Sequence, residues 1–88
     1  MDRATLEEHL AHAEELVARG ERRIADQREL VAELELGGQD AMQARQLLAR
    51  YEELQGMLIV NRDRLAEDLA RANRERRTRL DDGRGYVR

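Results

Sequence analysis

His9 and His12 stand three residues apart, and Glu15 follows three residues later. On a helix this spacing sets two imidazoles and a carboxylate along one side, a donor set that transition metals accept. Helical bundles that hold paired metal ions place Glu-x-x-His on two helices and further glutamates on the others. Here His-x-x-Glu occurs once, and the second half of the chain offers no matching set. Both histidines therefore read as exposed or flanking residues, and no metal, cofactor or catalytic residue is assigned.

The other candidates for chemistry are arginines. Arg71, Arg74, Arg76, Arg77 and Arg79 crowd the end of the chain, and with Arg84 and Arg88 they give the last eighteen residues a net charge of +4. Such a basic end can neutralise phosphates of nucleic acid or of an anionic lipid surface. The plainer reading is a solvated helix end, where the macrodipole favours cations. No aromatic interleaves Arg71 to Arg79, and the whole chain is acidic at −3, so polyanion binding ranks second among the functional readings.

These groups must be positioned by helices. Charged residues make up 40% of the 88-residue chain and aromatics 2%, with no Pro, Phe, Trp or Cys. Long helices need neither aromatics nor proline, and an interior Pro would cost about 3 kcal/mol. The absence of cysteine excludes disulfides and thiol chemistry. No apolar run approaches the roughly 18 residues of a spanning helix. Residues 1–8 lack the cationic start and apolar core of a signal peptide. The expected compartment is the cytoplasm, with no membrane contact.

Periodicity predicts one domain over residues 1–80, an all-α antiparallel two-helix coiled-coil hairpin. Helix 1 spans about 5–36, with Thr5 and Glu8 as a capping box. Leu6, Leu10, Ala13, Val17, Gly20, Ile24, Gln27, Val31 and Leu34 recur in steps of four and three, the seam of a coiled coil. Gly37-Gly38 ends the helix and residues 37–40 form the turn. Asp40 caps helix 2, over about 40–80, and residues 81–88 are expected as a flexible tail. The helix 2 seam is read as Ala44, Leu47, Tyr51, Leu54, Leu58, Asn61, Leu65, Asp68 and Ala72. One register then sets Ala13 against Leu65, Gly20 against Leu58 and Leu34 against Ala44, small facing large, and Gln27 against Tyr51 as a polar pair inside the seam. It also brings Glu14 near Arg62. Residues 1–40 carry net −6 and residues 41–88 net +3, which favours their pairing.

Ala4, Ala11, Ala18, Ala25 and Ala32 share one heptad position off the seam. Helix propensity explains abundant alanine but not a seven-residue spacing. A smooth stripe admits a second helix, and Leu48, Ile59, Ala66 and Leu69 are read on the same flank of helix 2. Ala11, Ala18, Ala25, Ala32, Leu48, Ile59, Ala66 and Leu69 are thus the expected dimer interface, giving a four-helix bundle. The opposite flank, with Leu16, Leu30, Met57 and Val60, is the alternative.

The run from His12 to Leu30, with Gly38, Asp40, Ala44, Leu47-Leu48, Glu52 and Arg62-Asp63-Arg64-Leu65, resembles a family of short uncharacterised proteobacterial helical-hairpin proteins. The resemblance covers roughly residues 9–70. It implies the hairpin and lends no activity or site. A helical hairpin with histidine is also similar to the phosphotransfer module of sensor kinases, but the acidic residue that follows the histidine there is Leu10 or Ala13 here. The resulting expectation is a non-enzymatic interaction module, a homodimeric scaffold, adaptor or regulator with an unidentified protein partner. The runner-up is a nucleic-acid-associated regulator using the Arg-rich end.

Overall fold

The computed structural model describes the backbone of residues 1–86 and the side chains of residues 1–79. Two helices, α1 (Arg3–Leu36) and α2 (Met42–Tyr86), fold back on each other into an all-α hairpin measuring 77 × 16 × 14 Å.

α1 starts two residues earlier than its expected start at Thr5. Asp2, in extended conformation, accepts the Thr5 backbone N–H on its carboxylate at 2.7 Å, so Asp2 is the N-cap and Thr5 sits in the first turn. Aspartate caps at least as well as threonine, and the earlier cap captures one more pair of helical bonds. The bond to Thr5 holds the Asp2 carboxyl below the usual carboxylate range.

The far end closes as a Schellman turn. Gly38 has φ of 70°, the one positive value among the described residues, and a side chain there would be strained. Gly38 N–H donates to the Glu35 carbonyl at 3.2 Å and Gln39 N–H to the Leu34 carbonyl at 2.9 Å. Asp40 then accepts the Met42 N–H at 2.9 Å, capping α2 from just outside, and Ala41 is buried at the hinge. At its other end α2 runs to Tyr86, beyond the expected end near Leu80. No proline stops it, and the two glycines at 83 and 85 cost only about 1 kcal/mol each as helix interior. The expected tail thus overlaps helical backbone, and Val87 and Arg88 lie outside the described residues.

All nine expected seam positions of α1 are buried or half-buried. The seam of α2 differs. Ala44, Tyr51, Leu58, Leu65 and Ala72 face α1 as expected, but the alternate positions are Ala41, Leu48, Gln55, Arg62 and Leu69. Leu47 and Leu54, placed in the seam by the sequence reading, are 38% and 41% exposed. Relative to the expected register, each α1 residue meets a partner three residues earlier in α2, a slide of about 4.5 Å. Gly20 lies against Gln55, not Leu58. The same register carries Leu34 to Ala41, Val31 to Ala44, Ile24 to Tyr51, Val17 to Leu58 and Ala13 to Arg62.

Two cross-helix ion pairs, Arg28–Glu52 at 3.1 Å and Glu35–Arg45 at 3.0 Å, agree with this register. The polar pair expected between Gln27 and Tyr51 is replaced: Gln27 donates to the Ala44 carbonyl at 2.9 Å, while Tyr51 lies beneath the Arg23 guanidinium. Arg62 bonds Asp63 and not Glu14, because the slide moves it into the seam opposite Ala13.

Two outcomes follow. In this cysteine-free chain, Gly20→Cys with Gln55→Cys should oxidise to an intramolecular disulfide faster than Gly20→Cys with Leu58→Cys; thiol titration during mild oxidation measures both rates, and the reverse order restores the expected register. A group with a lowered folded-state pKa stabilises above its unfolded value and loses that contribution as pH falls through the folded one. Acidification through the Asp2 titration should therefore fray the first turn, and Asp2→Ala should accelerate Thr5 amide exchange at neutral pH, as read by NMR.

Candidate functional site

His9, His12 and Glu15 are all exposed, and Glu15 is engaged by Arg19 at 2.6 Å. Among the described residues no three His, Cys, Asp or Glu side chains converge as a metal site. Their helical spacing is as the sequence indicated, but nothing comes from α2 to complete a coordination sphere.

Arg74, Arg76, Arg77 and Arg79 on α2 project past the start of α1, whereas Arg71 lies beside it. Arg3 lies at the level of Ala72, so residues 73–86 extend beyond the paired seam by about 21 Å. Arg71, Arg74, Arg76, Arg77 and Arg79 are all exposed. Arg71, Arg74 and Arg79 border one shallow concavity with Glu75 and Thr78, while Arg76 and Arg77 do not line it. Arg71 is also engaged by Asp68 at 3.6 Å.

The sides of the hairpin are unlike each other. With Leu10, Val17, Ile24 and Val31 as heptad position a, the alanine stripe occupies position b, beside the e flank. Ala11, Ala25 and Ala32 are exposed there and Ala18 is half-buried. On α2 the same flank carries Ile59, half-buried, and Ala66, exposed. Leu48 and Leu69 do not join it: both are half-buried in the seam itself. Both cross-helix ion pairs, Arg28–Glu52 and Glu35–Arg45, close this flank towards the turn.

The g flank carries an apolar stretch between polar residues, with His9 and Arg23 on α1 and Asp40, Asn61 and Asp68 on α2 at the same position. Leu16 and Leu30 from α1 and Leu47 and Leu54 from α2 lie along it, with Leu30 at 43% exposure. Met57 and Val60 continue the surface on α2 at 61% and 58%. In its middle Gly20 opens a groove of about 190 Å³ bordered by Leu16, Arg23, Tyr51, Leu54 and Leu58. The Arg23 guanidinium lies 5.4 Å from the Tyr51 ring centre, a cation–π contact. The sequence reading named Leu16, Leu30, Met57 and Val60 for this side but missed Leu47 and Leu54, having used them in the seam. The available signal was the doubled Leu47-Leu48: one leucine serves the seam and the other must face sideways.

Gln55 forms the groove floor. It is 7% exposed, and its amide N–H donates to the Val17 carbonyl at 2.9 Å. Its Oε1 is buried without a hydrogen-bond partner among the described residues and occupies the space that a Gly20 Cβ would need. The Gly20 Cα–H points at that oxygen, a weak donor in place of a strong one.

No helix among the described residues is long and apolar enough to cross a membrane. No protein-family model matches the chain, and no curated protein or solved structure is significantly similar to it.

Gly20→Ala should destabilise the fold by about 1 kcal/mol despite its better helix propensity, because the methyl group expels the Gln55 amide from its bond to Val17. In a Gln55→Ala background the same change should stabilise by about 1 kcal/mol. Urea unfolding of the four variants gives the coupling directly; additive effects would contradict the packing of Gln55 over Gly20.

Proposed function

We propose that the protein is a non-enzymatic interaction module, a small homodimeric helical hairpin of the cytoplasm that acts through its surface as scaffold, adaptor or regulator. The observation that carries the reading is a surface too large for the mass. A compact 10.2 kDa monomer exposes about 5,300 Å², whereas this chain exposes 7071 Å². The core is correspondingly thin: six hydrophobic residues are buried, and no side chain falls below 2% exposure among the described residues. Each ordered residue costs about 1.5 kcal/mol of conformational entropy, and a chain without cysteine has no disulfide to offset it. Association supplies the missing burial, and a four-helix bundle is the usual result for paired hairpins.

The second reading, a nucleic-acid-associated regulator, draws on the concavity bordered by Arg71, Arg74 and Arg79 on the projecting part of α2. Without converging base-reading groups, such a surface contacts phosphate alone.

Sedimentation equilibrium should show a homodimer at micromolar concentration, with helicity falling on dilution; a fully helical monomer at that concentration overturns the primary reading. Fluorescence anisotropy with duplex DNA or RNA should show, at most, sequence-independent binding that weakens by roughly 100-fold between 50 and 200 mM salt. Arg74→Ala/Arg77→Ala/Arg79→Ala should abolish it. Tight, salt-resistant and sequence-selective binding would put the second reading first.

A further inference from the structure

The g flank does more than leave leucines in water; it is complementary to itself. Position c lies next to position g on α1, and the four c residues from His12 onward are His12, Arg19, Asp26 and Glu33, all exposed. Read along the helix, this column presents two basic residues and then two acidic ones. Reversed, it is its own complement. An antiparallel second copy of α1 centred near Arg22 and Arg23 brings Arg19 opposite Asp26 and His12 opposite Glu33, each pair occurring twice.

The neighbouring g column obeys the same symmetry. Leu16 and Leu30 lie at equal distances either side of Arg23, half a residue from the centre of the charged column, so the alignment that matches the charges brings Leu16 close to Leu30. Leu47 and Leu54 widen the apolar strip from α2. Helices that face two neighbours carry apolar residues at a, d and one of e or g; on α1 the extra apolar position is g, since e holds only charged residues, and Leu47 and Leu54 stand at g on α2. The e flank, by contrast, is crossed by Arg28–Glu52 and Glu35–Arg45 within the chain.

We infer that the g flank is the docking surface for a second copy of this chain, packed with α1 antiparallel to its counterpart around a two-fold axis near Arg23. The inference rests on the homodimer reading and specifies its face. An isologous contact repeats every interaction, which is what the two mirrored columns provide. The unfavourable element is Arg23 approaching its own copy, and its stacking on Tyr51 draws the guanidinium back from the axis.

Single cysteines test the face in the full-length chain, which has none of its own. Arg23→Cys should oxidise to a covalent dimer, whereas Ala25→Cys, on the alanine stripe, should not. Charge exchange tests the alignment. Arg19→Asp should weaken the dimer by about tenfold, since two attractions become repulsions, and Arg19→Asp/Asp26→Arg should restore it. Circular dichroism on each variant separates loss of association from loss of folding, and the rescue pair keeps the test decisive if single variants unfold. A wild-type dimer trapped through Ala25→Cys and not Arg23→Cys overturns this face while leaving the homodimer standing. A stable wild-type monomer overturns both.

Discussion

The side chain of Gln55 is laid across Gly20, with its amide N–H on the Val17 carbonyl. Gly20, lacking a side chain, leaves space in the middle of the α1 seam, and the Gln55 amide fills it. Sliding the helices by one layer in either direction would set Gln55 against Val17 or Ile24, where no such space exists. The Schellman turn at the other end has the same effect, since Gly38 and Gln39 bond back to Glu35 and Leu34 and bring Ala41 into the core. Two distant constraints thus agree on one register, as cooperative folding requires.

That register decides what remains outside. With Leu48 and Gln55 turned inward, Leu47 and Leu54 face sideways and join Leu16 and Leu30 in an apolar strip on one flank. The other flank receives the two cross-helix ion pairs. Exposed ion pairs contribute little to stability, about 0–1 kcal/mol each. Their consequence here is the asymmetry: one side is satisfied within the chain, and the other carries apolar area with no partner in the hairpin. A two-helix fold cannot enclose a core from all sides, so apolar side chains that the register turns away from the seam stay uncovered on one flank.

The histidines and the terminal arginines have no such structural support. His9 and His12 share a helix side, but among the described residues no third metal-binding side chain converges on them, and a metal site needs donors that converge. The arginines project beyond the seam on a single helix, so their arrangement is set by helix geometry alone. A lone helix end can offer charge to a polyanion, whereas base readout requires groups held in register against a groove.

Much of this fold was legible in the residues. The absence of proline, the steps of three and four from Leu6 to Leu34, and Gly37-Gly38 determined two helices, their turn and the full seam of α1, because each is a local property of backbone preference or periodicity. The α2 seam was not determined, since Leu47-Leu48 and Leu54-Gln55 each offer two adjacent candidates one residue apart. Hydrophobicity favours Leu54 over Gln55, yet Gln55 is buried and Leu54 is not. Only the folded pair contains the reason: a buried amide is tolerated where a glycine on the other helix leaves room for it and a carbonyl accepts its proton. Register is a relation between two helices, and so neither sequence pattern alone could decide it.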